Sequence, residues 1–371
     1  MKELNQRELE EKLARVIDKM MHLGDPDNSK DLESGGEAKG FFRRDFGIRE
    51  WDWPQGVGLY GLLKVRKLQN RDEYRDFLYS WFKENMEKGL PSKNINTTAP
   101  LLTLVELNDE FGDETFEKLC VDWADWLMEC LPRTKEGGFQ HVTSANGDLQ
   151  GVRLNENEMW IDTIFMAVLF LNKMGQKYKR TDWISESIHQ VLLHIKYLCD
   201  NHTGLFYHGW TFRERNNFGG VFWCRGNSWF TLGIPEFVEM FDGNMDAGVK
   251  AFILDAYRAQ VEQLVKLQAE DGLWHTVLDD ADSYTEVSGS AAIAAGILKG
   301  IRKGILDDKY MPHAIRAVQG ILNNIDDDGT VRNVSGGTGM GYNKEHYKNI
   351  LIAPMAYGQS LTVLALVESM S

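Results

Sequence analysis

The sequence predicts an all-α protein whose helices close into a double ring, an inner set surrounded by an outer set. Helical periodicity recurs along the 371 residues, and convincing strand alternation is scarce. The periodic segments number twelve, at 3–22, 54–69, 71–88, 98–111, 113–131, 162–174, 178–200, 227–241, 246–269, 286–303, 308–324 and 350–369. A turn theme returns between them, with Gly138, Gly204, Gly272 and Gly329 lying 66, 68 and 57 residues apart. A period near sixty with two helices per unit indicates six repeated helical hairpins. An open solenoid would use the same hairpins. It would not need the turn histidines His141, His208 and His275 to meet at one end, so the closed ring is favoured. One domain, 1–371, without a linker is expected.

Composition bounds the function. A 43% hydrophobic, 26% charged chain has ample material for a core. The net charge of −14 argues against a nucleic-acid partner, and an anionic ligand would need a local basic patch. Cys120, Cys130, Cys199 and Cys224 show neither C-x-x-C pairing nor zinc spacing, as expected of reduced thiols. The first ten residues are charged and lack an apolar stretch, and no apolar run is long enough to span a bilayer. A soluble, cytoplasmic protein is expected. No feature of the sequence sets an oligomeric state.

In chain order, Pro54, Pro100 and Pro312 fit the first turns of their helices. Trp51-Asp52-Trp53-Pro54 opens a helix carrying Gly56, Gly58 and Gly61, each costing about 1 kcal/mol against alanine. Close helix packing or close approach to a ligand would justify them. The two tryptophans suit either a core or the apolar face of a sugar. Asn96, in a polar capping loop, is the candidate for an amide contact to a ligand hydroxyl.

In Met159 to Leu171 the one ionisable group is Asp162, between Trp160-Ile161 and Ile164-Phe165. Lost hydration there would raise the carboxyl's pKa and keep a proton donor ready. The alternative is that Asp162 simply caps the helix starting at Thr163. Arg225 lies between Trp223 and Trp229, and its planar fork suits a carboxylate; a structural ion pair is the other reading. The following Gly226-Asn227-Ser228 would cap the next helix and offer N–H groups to an anion. Asp279, Asp280 and Asp282 read as turn and cap residues rather than a metal cluster. The glycines of 335–342 read as a rim loop, in which Thr338 is a candidate contact.

Five stretches carry a resemblance: Trp51 to Gly58, Met159 to Thr163, Gly204 to His208, Trp223 to Trp229 and Gly272 to His275. In this order, over residues 40 to the C-terminus, they resemble glycoside hydrolase family 105, the unsaturated rhamnogalacturonyl hydrolases. The resemblance implies an (α/α)6 barrel that removes the 4,5-unsaturated uronic acid left by pectin lyases. It implies Asp162 as general acid/base, with no metal or organic cofactor and an unsaturated oligosaccharide as partner. Asp162 would protonate C4 and then, as carboxylate, deprotonate the water that adds at C5. Trp53, Asn96, His141, His208, Trp223, Arg225 and Trp229 correspond to pocket positions, and Asn96 stands where some relatives have aspartate. Unsaturated glucuronyl hydrolases, with the same chemistry on glycosaminoglycan fragments, are the sibling reading. The rivals are a two-carboxyl glycosidase or a lyase, with Asp52 or the 279–282 acids as second group, and a non-catalytic helical-repeat binding protein.

Overall fold

The computed structural model describes residues 4–23, 43–145 and 148–371. All twelve expected helices are present. They are α1 (Gln6–His22), α2 (Trp53–Gln69), α3 (Asp72–Lys88), α5 (Leu101–Phe111), α6 (Glu114–Glu129), α7 (Leu169–Tyr178), α8 (Thr181–Leu198), α9 (Cys224–Glu239), α10 (Ala247–Lys266), α11 (Val287–Arg302), α12 (Met311–Leu322) and α14 (Ala356–Ser369). Two single-turn helices, α4 (Ile95–Thr98) and α13 (Lys344–Lys348), and a π-helical turn (Ile164–Val168) leading into α7 complete the set. Three two-stranded antiparallel sheets sit in the long connections: β1 (Val142–Ala145) with β2 (Asp148–Leu154), β3 (Glu158–Trp160) with β4 (Gly209–Thr211), and β5 (Trp274–His275) with β6 (Thr285–Glu286).

Burial sorts the helices into two rings. Nearly every residue of α9, α11 and α14 is buried, and so is the first half of α2; α1, α8 and α12 bury one stripe. A helix apolar all round must lie inside others. The inner helices touch in the sequence α2, α5, α7, α9, α11, α14, and α14 returns to α2, which closes the ring. Their N-termini gather at one end, fed by the long outer-to-inner connections. At the other end a buried ionic network holds the inner helices together. Glu236 of α9 lies between Lys299 of α11 and Lys64 of α2 and accepts from Tyr60 Oη at 2.7 Å, while Lys64 reaches Glu368 of α14 at 3.0 Å.

The turn theme has a steric basis, with one shift of register. Within these four turns the glycines with positive φ are Gly137, Gly204, Gly272 and Gly329, so the first unit turns on Gly137, not on the expected Gly138. A Cβ on Gly272 would stand 2.2 Å from the Arg316 carbonyl oxygen of α12, and one on Gly329 would stand 2.1 Å from that of Arg15 on α1. Each turn therefore presses its bare backbone onto the next outer helix, and Gly329 joins the last unit to the first.

Two of the helix starts that differ from expectation bear on the site. The last helix begins at Ala356, not 350, because Ala353 N–H bonds the Val334 carbonyl and Ser335 pairs with Ile352. Helix α9 begins at Cys224, not 227, which places Gly226, Asn227 and Ser228 inside its first turn. Asn227 spends its amide on Phe206 and Trp223, and Ser228 on the Arg225 carbonyl, so the expected cap-and-anion cradle is absent there. Gly56, Gly58 and Gly61 serve packing: Cβ atoms there would meet Ala99-Pro100, Ser360 and Val363.

Candidate active site

The gathered N-termini surround a cavity of about 440 Å³. Its lining includes Trp53, Asn96, His141, Asp162, Trp223, Arg225 and Thr338, which are seven of the nine residues expected from the sequence. The other two lie just behind the wall. His208 Nε2 is 3.5 Å from Asp162 Oδ2, and Trp229 packs edge-on against Trp53 at 5.7 Å.

Strand pairing sets the centre. Trp160 of β3 stands opposite Gly209 of β4, and Ile161 N–H bonds the His208 carbonyl at 3.0 Å. This register brings Asp162 and His208 together although 46 residues separate them in the chain. On the other side of Trp160, His141 N–H bonds the Glu158 carbonyl, and the His141 ring stacks on the indole at 4.0 Å and 11°. Buried behind them, His194 Nε2 meets the Trp160 carbonyl at 3.1 Å.

Asp162 is not the cap of its helix. The helix begins as a π-helical turn behind Thr163, and Phe165 and Met166 bond the main-chain carbonyl of Asp162 rather than its carboxylate. Its electrostatics also differ from the expected raised pKa. Burial does push the carboxyl upward, but the His208 ring and then His141 outweigh it, and the net shift is below the ordinary aspartate value. The apolar residues flanking Asp162 in sequence point into the core, so the carboxyl itself faces imidazoles. Burial pulls His141 down to about 3, which keeps it neutral. Asp162 Oδ2, His208 Nε2 and His141 Nδ1 are all buried without a hydrogen bond of normal geometry. Buried polar atoms are nearly always satisfied, and here two of the three, Asp162 Oδ2 and His208 Nε2, face each other at 3.5 Å.

Arg225 is buried, stacked over Trp223 at 4.5 Å and Tyr357 at 4.8 Å. It donates to the carbonyls of Ser335 (2.8 Å) and Gly336 (2.7 Å) and to Ser288 Oγ (3.1 Å). None of these partners is charged, and among the described residues Arg225 forms no ion pair. The structural ion pair is thus ruled out. Two of its bonds anchor the 335–336 loop and the third reaches Ser288, which donates in turn to the buried Glu286 carboxylate, so among the described residues no carboxylate touches the guanidinium directly.

Asn96 has its backbone N–H capped by Asn94 Oδ1, while its side-chain amide makes no hydrogen bond among the described residues. Thr338 Oγ1 meets His346 Nε2 at 2.6 Å. Asp52 is occupied as the cap of α2, accepting from Trp53 N–H at 2.7 Å and from Arg44 at 3.2 Å. Asp279 and Asp280 pair with Lys344 and Lys348 outside the cavity, and His275 bonds the Ser283 carbonyl. The carboxyls that do line the cavity besides Asp162 are Asp45 and Glu158. Sequence reasoning missed both, along with Arg44, Arg153, Met340, Tyr342 and Tyr347. Only Trp160 had a local signal, two residues before Asp162. Among the described residues no group of three or more His, Cys, Asp or Glu side chains is placed to hold a metal ion, and no helix is long and apolar enough to cross a membrane.

Comparison with known proteins agrees with this architecture. The sequence model of glycosyl hydrolase family 88 matches residues 43–371. Over 360 residues the chain is 33% identical to the unsaturated rhamnogalacturonyl hydrolase YesR of Bacillus subtilis (strain 168), covering 96% of this chain and 95% of that one. A solved structure from Klebsiella pneumoniae, described as a possible member of family GH105, is 35% identical, with a TM-score of 0.90 over 100% of this chain and 94% of that one. The unsaturated glucuronyl hydrolase of Bacillus sp. GL1 shares the fold at 18% identity, with a TM-score of 0.67 over 96% of each chain. By the family match and the closed ring of helices, the chain belongs to glycosyl hydrolase family 88 and is a glycoside hydrolase built as an (α/α)6 barrel.

Proposed function

We propose that this enzyme removes the 4,5-unsaturated uronic acid from the non-reducing end of rhamnogalacturonan-lyase products by hydrating the C4–C5 double bond, with the ring acting as one catalytic domain. The observation that carries this reading is the buried Arg225 guanidinium, touched by no carboxylate among the described residues, sharing a cavity with the Asp162 carboxyl. A guanidinium with donors left over and no carboxylate in contact can take an entering uronate carboxylate as its partner. The inner-helix N-termini aim their positive dipole ends at the same space and favour an anion further. Trp53 and Trp223 offer faces to the sugar ring, and the free Asn96 amide suits a ring hydroxyl.

The substrate is a vinyl ether, electron-rich at C4. Asp162 transfers a proton to C4, leaving an oxocarbenium-like centre at C5. As carboxylate it then takes a proton from the water that adds there, and so regains its own. The hemiketal product opens and the leaving sugar departs. Because the free carboxyl is held low, the uronate's own negative charge is what prepares it: bringing an anion close raises the pKa of Asp162. One carboxyl serves both steps, unlike the paired carboxyls of ordinary glycosidases. The leaving sugar fits an adjoining cleft of about 290 Å³ that shares Glu158 and Tyr342 with the cavity. A cytoplasmic location, supported by four free cysteines, completes the reading.

The test follows the ultraviolet absorbance of the conjugated double bond with rhamnogalacturonan and glycosaminoglycan lyase disaccharides, wild type beside Asp162→Asn. Loss of absorbance on the first substrate, absent in the variant, is expected. Loss on the second alone would assign the sibling activity. No loss on either from folded protein would leave a binding module.

A further inference from the structure

We propose that Tyr347 is a positioning residue that fixes the tautomer of His208, placing its one N–H at Nε2 against Asp162. The inference rests on Asp162 being the acid/base of the proposed reaction, though its first test does not depend on activity.

Three contacts carry it. Tyr347 Oη lies 2.9 Å from His208 Nδ1, and it accepts the Gly341 N–H at 3.0 Å. On the far side of the same ring, His208 Nε2 faces Asp162 Oδ2 at 3.5 Å. A neutral imidazole has one N–H and one bare nitrogen. A bare Nε2 lone pair against a carboxylate oxygen would repel it, so the hydrogen belongs at Nε2. That leaves Nδ1 bare and buried, and a buried acceptor needs a donor. The Tyr347 hydroxyl is the donor in reach. The Gly341 N–H occupies one lone pair of Oη and turns the phenolic hydrogen towards the histidine. Burial also pushes the Tyr347 hydroxyl well above its ordinary pKa, so it keeps its proton and orients rather than relays.

The approach is tight: a Cβ on Gly341 would come within 2.6 Å of the Tyr347 ring, so the rim loop needs a glycine there to reach the phenol. His208 also packs against Trp223 at 4.4 Å, which holds the plane of its ring. The titratable groups around the Asp162–His208 pair are His141, His194, His346, Glu158, Arg44 and Tyr347. Of these, Tyr347 alone has a hydrogen bond to His208 Nδ1.

Tyr347→Phe keeps the aromatic ring and removes only the hydroxyl. Without its donor, Nδ1 is left bare and buried, the preference between the two tautomers weakens, and rings that carry their hydrogen at Nδ1 turn a bare Nε2 towards the Asp162 carboxylate. Nitrogen-15 NMR of histidine-labelled protein reads this directly, with a His208→Gln spectrum for assignment. The expected wild-type signal is a ring with its hydrogen at Nε2, and Tyr347→Phe should show a mixture of Nε2–H and Nδ1–H rings. In kinetics, kcat should fall about tenfold or more, the worth of one buried hydrogen bond, while KM stays within about twofold. The pH limb of kcat should move to higher pH, because the carboxylate loses the Nε2–H that holds it low. A wild-type ring protonated at Nδ1, or a variant with unchanged nitrogen shifts and pH limb, overturns the proposal. If no lyase product is hydrolysed by wild type, the functional reading fails instead, and the NMR result alone decides the tautomer.

Discussion

Replacing Asp162 with asparagine keeps the shape of the side chain and removes its capacity to give or take a proton. Among the described residues the other groups near it are otherwise engaged, Asp45 lying beside the Arg44 guanidinium. Glu158 turns its carboxylate towards the Trp160 Nε1–H at 2.8 Å and lines the outer cleft. His141 is neutral and stacked, and Asp52 is occupied at a helix cap. A positioned general acid or base is worth about 10²- to 10⁴-fold, and here one group performs both steps. The expected loss in kcat is therefore at the upper end, about 10³- to 10⁴-fold, or about 4–5.5 kcal/mol of transition-state stabilisation. Substrate binding should persist, because Arg225, Asn96 and the tryptophans are untouched. The assay is decay of the double-bond absorbance under saturating substrate, with equilibrium binding measured on the variant. Since folding lowers the pKa of Asp162, its carboxylate stabilises the fold above the ordinary aspartate range, and that contribution fades as pH falls through the range. The variant should thus be slightly less stable at neutral pH, and thermal unfolding must accompany the kinetics. Retention of more than about a tenth of wild-type kcat would refute the one-carboxyl mechanism. An equal loss in Glu158→Gln would point instead to a paired-carboxyl glycosidase.

Other consequences are open to simple measurement. Because free Asp162 titrates low and must be protonated to act, kcat/KM should fall with rising pH across the neutral range, while the limb in kcat, shifted by bound uronate, should lie at higher pH; coincident limbs would contradict substrate-assisted protonation. Glu236→Gln strips the shared partner from buried Lys64 and Lys299 and should cost about 3–5 kcal/mol in urea unfolding. Folding also lowers the pKa of Glu236, so the wild-type network contributes fully above the ordinary glutamate range and weakens as pH falls through it. Gly272→Ala forces a side chain into positive φ and against the Arg316 carbonyl, and should destabilise by about 2–4 kcal/mol. Tyr342→Ala removes an exposed ring shared by the cavity and the cleft; roughly a 2- to 10-fold rise in KM on disaccharides is expected, with a small methyl glycoside of the unsaturated uronate unaffected.

Much of this protein is determined by local chemistry that a sequence displays. The inner helices are apolar all round, the outer ones are striped, and the repeated glycine turns set the period, so twelve helices in a double ring could be read before any coordinates. The residue types that chemistry needs were equally visible: Asp162 amid hydrocarbon, Arg225 between tryptophans, histidines after turns. What no local pattern could supply was the partner of each. Hydrophobic neighbours in sequence suggested a raised pKa for Asp162, yet a side chain feels its neighbours in space, and the pairing of β3 with β4 on one side and with the His141 backbone on the other put two histidines there. Arg225 read equally well as an ion pair or as a ligand, and only the fold showed that its partners are neutral carbonyls. Tyr347 and Glu158 carry no motif at all, because their role comes from a rim loop and a strand edge brought beside residues far away in the chain. Periodicity and turn chemistry are encoded residue by residue. Electrostatics and hydrogen-bond satisfaction belong to the assembled site, since both depend on distances that exist only after the ring has closed.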